Sequence, residues 1–473
     1  MSQPRPRHNE ILTLVIALMI TVGVFLGIAG WLWRQMGGNV PGAILNGIST
    51  NPTIGGKTLQ ERISSGDRLL FPLNAGPDKQ QASRAIAQGD WQTAINSLQA
   101  SLRANRNDPE ALIALNNAQI GNSDAVAIGV SIPISTDPNG SLEILRGVAQ
   151  AQEEVNRAGG MAGKRLRVIL ADDGNQPEVA KQLAALFVQQ NILGVVGPYA
   201  SDISLAIAPV YQEQRLVAIS PISSAVKLSG ISPYFFRTVP SDYVAARSLA
   251  NYALTTLQTQ RVAIFFNSAS SYSQSLKAEF ATALSLGGGQ TVAEFDLADP
   301  GFSAAQAVQI ATKQGAKALM LAASTNTLDQ ALQVMQVNQG KLSLLGGDDV
   351  YTLKTLEVGG RSAKGLVVAV PWHIAAPSSA TFAQSSQALW GATVNWRTAI
   401  AYDATQALIA AIRQQPSREG VQQVLRNPGF TAPGASNPVR FLPSGDRDVT
   451  VQLVQVVPRP DVARSFDFQP IGP

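Results

Sequence analysis

From Val126 to about Trp372 the chain alternates between two hydrophobic patterns. Short aliphatic and β-branched runs read as strands: Val126-Ala-Ile-Gly-Val-Ser-Ile-Pro-Ile134, Leu166–Ala171, Gly194-Val-Val-Gly197 and Leu216–Ile219. Between them, apolar residues recur every three or four positions, which is helical spacing. Leu142, Leu145, Val148, Ala149 and Val155 make one such face, with Arg146, Glu153 and Arg157 elsewhere on the wheel. Val179 to Leu193 and Leu205 to Gln214 predict two further helices. Continuous apolar strands separated by crossover helices mark a parallel sheet covered on both faces. Near Phe235-Phe-Arg-Thr-Val-Pro-Ser241 the pattern breaks, and a long helix, Val244–Gln258, begins. A second series follows, with strands at Val262–Phe266, Ala318–Ala322, Leu342–Leu345 and Leu366–Val370. Helices at Thr381–Leu389 and Thr398–Arg413 precede short strands and turns that include Val449–Val456. Two βα series joined by a crossover imply two lobes and a cleft. Small polar molecules bind such sheets beyond the carboxyl ends of the strands. Ser131, Ser201, Ser220, Ser223 and Ser224 fall at or near those ends.

Upstream the pattern differs. Ile11 to Trp33 is an uncharged run of 23 residues, and about 20 helical residues cross a bilayer core. Arg5 and Arg7 precede it, while Arg34 and then Lys57 follow, which favours a cytoplasmic N-terminus with the rest outside. Cleavage as a signal peptide after Ala29 is the alternative. Residues 34–77 read as a linker with one short strand near Leu69-Leu-Phe71. Helical spacing returns at Ala82, Ile86, Trp91, Ala94, Ile95, Leu98 and Leu102, broken at Gly89-Asp90; Asn107-Asp-Pro109 opens a third helix. The order of small residue, glycine, aromatic, alanine and proline resembles one tetratricopeptide unit. A single copy cannot build a solenoid, so 78–122 is expected to pack as a helical hairpin on its neighbour or to dock a protein.

Composition narrows the function. At 473 residues, 45% hydrophobic and 14% charged, the chain has enough apolar sequence for two or three globular domains. The net charge of +4 comes from scattered Lys and Arg, which argues against a nucleic-acid groove. The absence of cysteine excludes disulfides, thiolate metal sites and a thiol nucleophile. Only His8 and His373 are available as imidazole bases, and neither G-x-S-x-G nor a Walker loop is present. Asp172-Asp173 sits where a dinucleotide site has its acidic residue, but without G-x-G-x-x-G a helix cap is the better reading. No enzyme activity, cofactor or metal is expected.

The order of elements resembles the type I periplasmic binding proteins of the branched-chain amino acid group, or extracellular ligand-binding receptors. The matching pieces are Ile128-Gly-Val-Ser-Ile-Pro133, Arg146-Gly-Val-Ala149, Val155-Asn-Arg-Ala-Gly-Gly-Met-Ala-Gly163, Leu166–Asp173 and Val195-Val-Gly-Pro198 with Ser201. Ala218-Ile-Ser-Pro221 with Ser223-Ser224, Phe236-Arg-Thr238, Val262–Phe266 and Gly346-Gly-Asp348 continue it, over about residues 125–458. The resemblance implies an α/β fold of two Rossmann-like lobes around a ligand cleft. Lobe 1 is then 123–240 with 373–440, and lobe 2 is 241–372 with 441–458. Residues 1–10 precede the membrane run at 11–33, and 459–473 form a tail.

It also implies ligand-binding residues. Ser201, Ile222, Ser223 and Ser224 fall on the lobe 1 positions that hold an amino acid's carboxylate and ammonium, and Tyr199, a further ligand-binding candidate, stands with Ala200 in place of a more apolar pair. Asp348, or Asp349 after a one-residue slip, falls on the lobe 2 carboxylate, and Tyr272 on an aromatic that closes over the ligand. Ser201 and Ser224 precede helical patterns, where free N–H groups and the helix dipole favour an anion; helix capping is their plainer role. One departure is Gly140, which stands where branched-chain binders often have an aromatic, and Asp137 and Asn139 are candidates to reach the cleft instead. Trp372 lines the cleft or packs at the third crossover. The resemblance thus implies a membrane-anchored, extracytoplasmic (periplasmic) binding protein for an amino acid or similar small polar solute, partnered by the permease of an ABC importer. A ligand-sensing receptor that signals to a membrane or cytoplasmic partner is the alternative.

Overall fold

The uninterrupted apolar runs become strands with sheet on both sides of them. The computed structural model describes residues 56–459 and 465–472, and the chain from Leu59 onward forms one unit. A two-residue strand, β1 (Ile63–Ser64), comes first, followed by α1 (Pro77–Gln88), α2 (Trp91–Ala104) and α3 (Pro109–Ile120). Asp90 and Asp108 cap the second and third helices by accepting from the Thr93 and Ala111 amides. Lobe 1 then takes β2 (Ala125–Ile132), α4 (Pro138–Arg157), β3 (Arg165–Asp172), α5 (Pro177–Gln189), β4 (Gly194–Val196), α6 (Ser201–Glu213), β5 (Val217–Ser220) and β6 (Phe235–Arg237). Lobe 2 takes α7 (Asp242–Thr255), β7 (Arg261–Phe266), α8 (Ser271–Leu286), β8 (Gln290–Asp296), α9 (Ala304–Lys313), β9 (Ala318–Ala322), α10 (Leu328–Asn338), β10 (Ser343–Gly346) and β11 (Val367–Val370). The chain returns to lobe 1 for α11 (Ala380–Trp390), α12 (Trp396–Gln414) and α13 (Arg418–Leu425), and ends in lobe 2 with β12 (Gln452–Pro458) and β13 (Phe466–Pro470).

The lobe 1 sheet has the order β1-β3-β2-β4-β5-β6. It is parallel except for β1, which runs antiparallel to β3. The lobe 2 sheet has the order β13-β12-β11-β10-β9-β7-β8, with its two C-terminal strands antiparallel. Both sheets are covered by helices, which is why β2, β9 and β11 read as nearly unbroken apolar runs. In lobe 1, α4 crosses α12 so closely that a Cβ on Gly147 would lie 2.2 Å from the Thr398 carbonyl oxygen.

Several stretches differ from the sequence reading, each for a physical reason. Within the 34–77 linker, Ile63–Ser64 extends the lobe 1 sheet, while Leu70 and Phe71 are buried in its core instead of forming a strand. The Leu70 amide donates to Glu110 Oε1 at 2.6 Å, which ties this segment to the hairpin. Of the three helices in 78–122, α3 is buried on nearly every side between its two partners and lobe 1, so the segment is part of the folded unit. Asn117 reaches from α3 to the Val168 backbone on β3, and Lys79 bridges Asp108 (2.7 Å) and Glu110 (2.8 Å). Residues 441–447 pack on lobe 1, because buried Arg237 takes its counter-charge from Asp446 at 2.6 Å and Phe441 packs on Phe236. In the 459–473 tail, β13 carries Phe468, which stacks on Tyr351. The membrane run Ile11–Trp33 lies outside the described residues, among which no helix is long and apolar enough to cross a membrane.

Candidate functional site

The loops after β2, β3, β4 and β5 of lobe 1 meet those after β7, β9 and β10 of lobe 2 around a cavity of about 310 Å³. That is the size of a small-molecule pocket, at the strand ends where open α/β sheets bind ligands. A wider groove of about 1020 Å³ lies at the opposite end of lobe 1, near Asp124, Lys164 and Arg413. It is formed without lobe 2, so the interlobe cleft is the candidate site.

Five of the seven proposed residues line this cavity: Tyr199, Ser201, Ile222, Tyr272 and Asp348. Ser201 opens α6. The N-cap, Ala200, offers no side-chain bond, and the first-turn amides have no intrahelical acceptor. Ser201 Oγ accepts from the Ala225 amide at 3.3 Å, which fixes the neighbouring loop against the helix start. Tyr272 sits in the first turn of α8 and donates its hydroxyl to Asp348 Oδ1 at 2.6 Å. Asp348 follows β10. Burial, and then the charge of Asp349, push its carboxyl up to about 6, against the pull of the Tyr272 hydroxyl and of Arg397. Burial also raises the Tyr199 and Tyr272 phenols, so both stay neutral hydrogen-bond donors.

The other two lie behind the wall. Ser223 Oγ donates to the Tyr199 carbonyl at 2.9 Å and pairs with Ser204 Oγ at 2.7 Å, so its hydroxyl braces the β4 and β5 loops. Ser224 lines a small void of about 10 Å³ with Asp242, Tyr272 and Asp348. Its carbonyl accepts from the Asp242 amide at 2.8 Å. Trp372 packs edge-on against Phe382, and His373 is buried with its Nδ1 accepting from the Ala375 amide. Asp172 and Asp173 hold loops rather than capping a helix: they accept from Ser135 and Gly174, and from Ser131 and Asn175. The Gly140 position is explained by crowding. A Cβ there would fall 2.6 Å from the Tyr199 hydroxyl and 2.3 Å from Asp137 Oδ2, so the Tyr199 ring takes the space an aromatic would need.

Contacts across the cleft include one residue that the sequence did not point to. Arg397, near the start of α12, donates from Nε to the Tyr199 hydroxyl at 3.2 Å in lobe 1, and from Nη2 to Asp349 Oδ1 at 3.2 Å in lobe 2. Asp349 also accepts from the Thr325 amide at 2.9 Å. Burial works to lower the Arg397 pKa, but Tyr199, Asp349 and Asp348 outweigh it, so the guanidinium stays charged. Asp202, beside Ser201, accepts from the Ser271 amide at 3.1 Å, and the Val226 amide donates to Ser275 Oγ at 2.9 Å. These bonds join the lobes in a closed arrangement. Arg397 lies 198 residues after Tyr199, and no local motif marks it.

A family model described as periplasmic binding protein matches residues 125–458. A Leu/Ile/Val-binding protein homolog of Brucella melitensis is 25% identical over 244 residues, which cover 51% of this chain and 66% of that protein, just under two thirds of its length. A Leu/Ile/Val-binding protein of Rhizobium johnstonii is 25% identical over 329 residues, 68% of this chain and 88% of that one. The crystal structure of a leucine-binding protein from Thermotoga maritima superposes with a TM-score of 0.64 at 23% identity, covering 73% of this chain and 98% of the other. That superposition shows a shared two-lobed fold.

Proposed function

The chain belongs to the periplasmic binding protein family, and from that premise we propose that it captures an amino acid or similar small polar solute in the interlobe cleft and releases it to the permease of an ATP-driven importer. The observation that carries this reading is the convergence of two complementary half-sites on one cavity. Lobe 1 offers the open start of α6 with Ser201, suited to a carboxylate. Lobe 2 brings Asp348, held by Tyr272, suited to an ammonium. A ligand that bridges them favours the closed state, so closure reports occupancy to a partner. The names of the Brucella and Rhizobium relatives support an amino acid. The family model and the named relatives are binding proteins, which favours binding over catalysis. The run Ile11–Trp33 would hold the protein at the membrane, with the lobes on the extracytoplasmic side beside the permease.

The test is a thermal-shift panel of amino acids, amides and sugars on the full-length chain in mild detergent. A solute at 100 times its Kd should add about 2.7 kcal/mol of stability. A shift confined to solutes with an α-amino acid group supports the two half-sites. A shift only with solutes lacking that group would reject the roles given to Ser201 and Asp348.

A further inference from the structure

Resting on that reading of the cleft, we infer that the solute carries net positive charge: it has a second ammonium or guanidinium group, as in a basic amino acid or a diamine, and is not a branched aliphatic amino acid. The cavity lining contains four aspartates, Asp137, Asp202, Asp348 and Asp349, and no lysine, arginine or histidine. Their existing partners leave most of that charge in place. Asp349 has a cation, Arg397, at 3.2 Å. The other three are bonded to neutral donors: Asp137 to the Gly140 amide, Asp202 to Ser271, and Asp348 to the Tyr272 hydroxyl. Closure brings two carboxylates of lobe 1 against two of lobe 2 with one guanidinium between them. A zwitterion adds one charge of each sign and leaves the excess unchanged. A cation reduces it.

A second observation comes from behind the Tyr272–Asp348 wall. Against its burial, the Ser224 and Ser275 hydroxyls favour the charged form of Asp242, and Asp242 and Ser224 are only 2% and 3% exposed. Both border the void of about 10 Å³ that shares Tyr272 and Asp348 with the main cavity. A space of that size holds about one water, which can bond to those polar atoms, so Asp242 adds a fifth acidic side chain behind the cavity wall. Arg237 also lies within electrostatic reach of Asp242, but it is bonded to Asp446 and to the Ala225 carbonyl. The rest of the lining is mixed: Asn175, Asn267, Asn326, Ser324 and Thr325 present amides and hydroxyls alongside the apolar Pro177, Ala200, Ile203, Ile222 and Ala269. Asn267 and Ser324, the buried pair among these, already bond to each other at 2.7 Å, while Asn175 Oδ1 has no partner among the described residues and offers an acceptor to a cationic ligand group.

The experiment is calorimetric titration of the full-length chain in mild detergent, at pH 7.5, with L-lysine, L-arginine, putrescine and L-leucine. At least one cationic probe should bind 100-fold or more tighter than leucine, and Asp348→Asn should weaken that probe at least tenfold. Lysine or arginine without putrescine identifies an amino acid whose carboxylate is held at α6; putrescine at equal strength identifies a diamine. Leucine binding as tightly as the cations would overturn the inference while leaving the solute-binding reading intact. Silence from all four overturns the inference, and silence across the wider thermal-shift panel overturns the binding reading with it.

Discussion

Asp242 offers a quantitative test of the electrostatics behind the cleft. It opens α7 at the crossing between the lobes and is buried. Burial pushes its carboxyl up to about 7 from an ordinary value of 3.8; the nearby Ser224 and Ser275 hydroxyls and Arg237 pull it down, while Asp348 pushes it further up. Between about pH 4 and 7 the folded chain therefore keeps a proton that the unfolded chain releases. Stability falls as pH rises through that window and is flat above it. At 1.36 kcal/mol per pH unit, the ionised form costs the fold at most about 4 kcal/mol. Asp242→Asn keeps the shape and cannot ionise. It gives up the favourable carboxylate at a helix start, about 0.3–1 kcal/mol, so the net gain at pH 8 should be roughly 3 kcal/mol. At pH 4 the gain should vanish or reverse slightly. Urea unfolding of wild type and variant at pH 4 and pH 8 measures both differences. Equal differences at the two pH values would show that Asp242 is ionised in the fold and would refute the argument.

Three further perturbations follow from the packing. Arg397→Gln removes a bond that exists only when the lobes meet; since Asp349 retains the Thr325 amide, the closed form should lose about 2 kcal/mol, or about 30-fold in the closed-to-open ratio. Spin-label distances across the cleft would reveal this, and an unchanged distribution would refute it. Lys79→Met removes the counter-charge of buried Asp108 and Glu110, which among the described residues keep only the Ala111 and Leu70 amides, and should destabilise the helices at 77–120 by about 3 kcal/mol, read as faster proteolysis there; protection equal to wild type contradicts it. Gly147→Ala drives a methyl into the Thr398 backbone and should cost about 3 kcal/mol, read from the urea midpoint.

Much of the fold was legible because burial on both faces writes a strand as a continuous apolar run, as in Ala318–Ala322. What escaped notice was built differently. The strand Gln290–Asp296 mixes Thr, Glu and Asp with apolar residues because it lies at the edge of the sheet, half-exposed along its length. Ile63–Ser64 is too short for any period, and only its pairing with β3 makes it a strand. At the site, Tyr199, Ser201, Ile222, Tyr272 and Asp348 follow strand ends, a place that topology fixes. Ser223 and Ser224 occupy the same kind of loop, and nothing in the sequence says which hydroxyl turns inward. Arg397 enters from a distant helix, so its meeting with Asp349 depends on how the lobes close.

The central claim is that a solute holds the two lobes together. Because the chain has no cysteine, Asn139→Cys with Ala298→Cys places one spin label on each side of the cleft, at exposed positions. Double electron–electron resonance should show a broad distance distribution without solute and a narrow, shorter one with the solute that the thermal-shift panel selects. A distribution unchanged by a solute that calorimetry shows to be bound would contradict the claim.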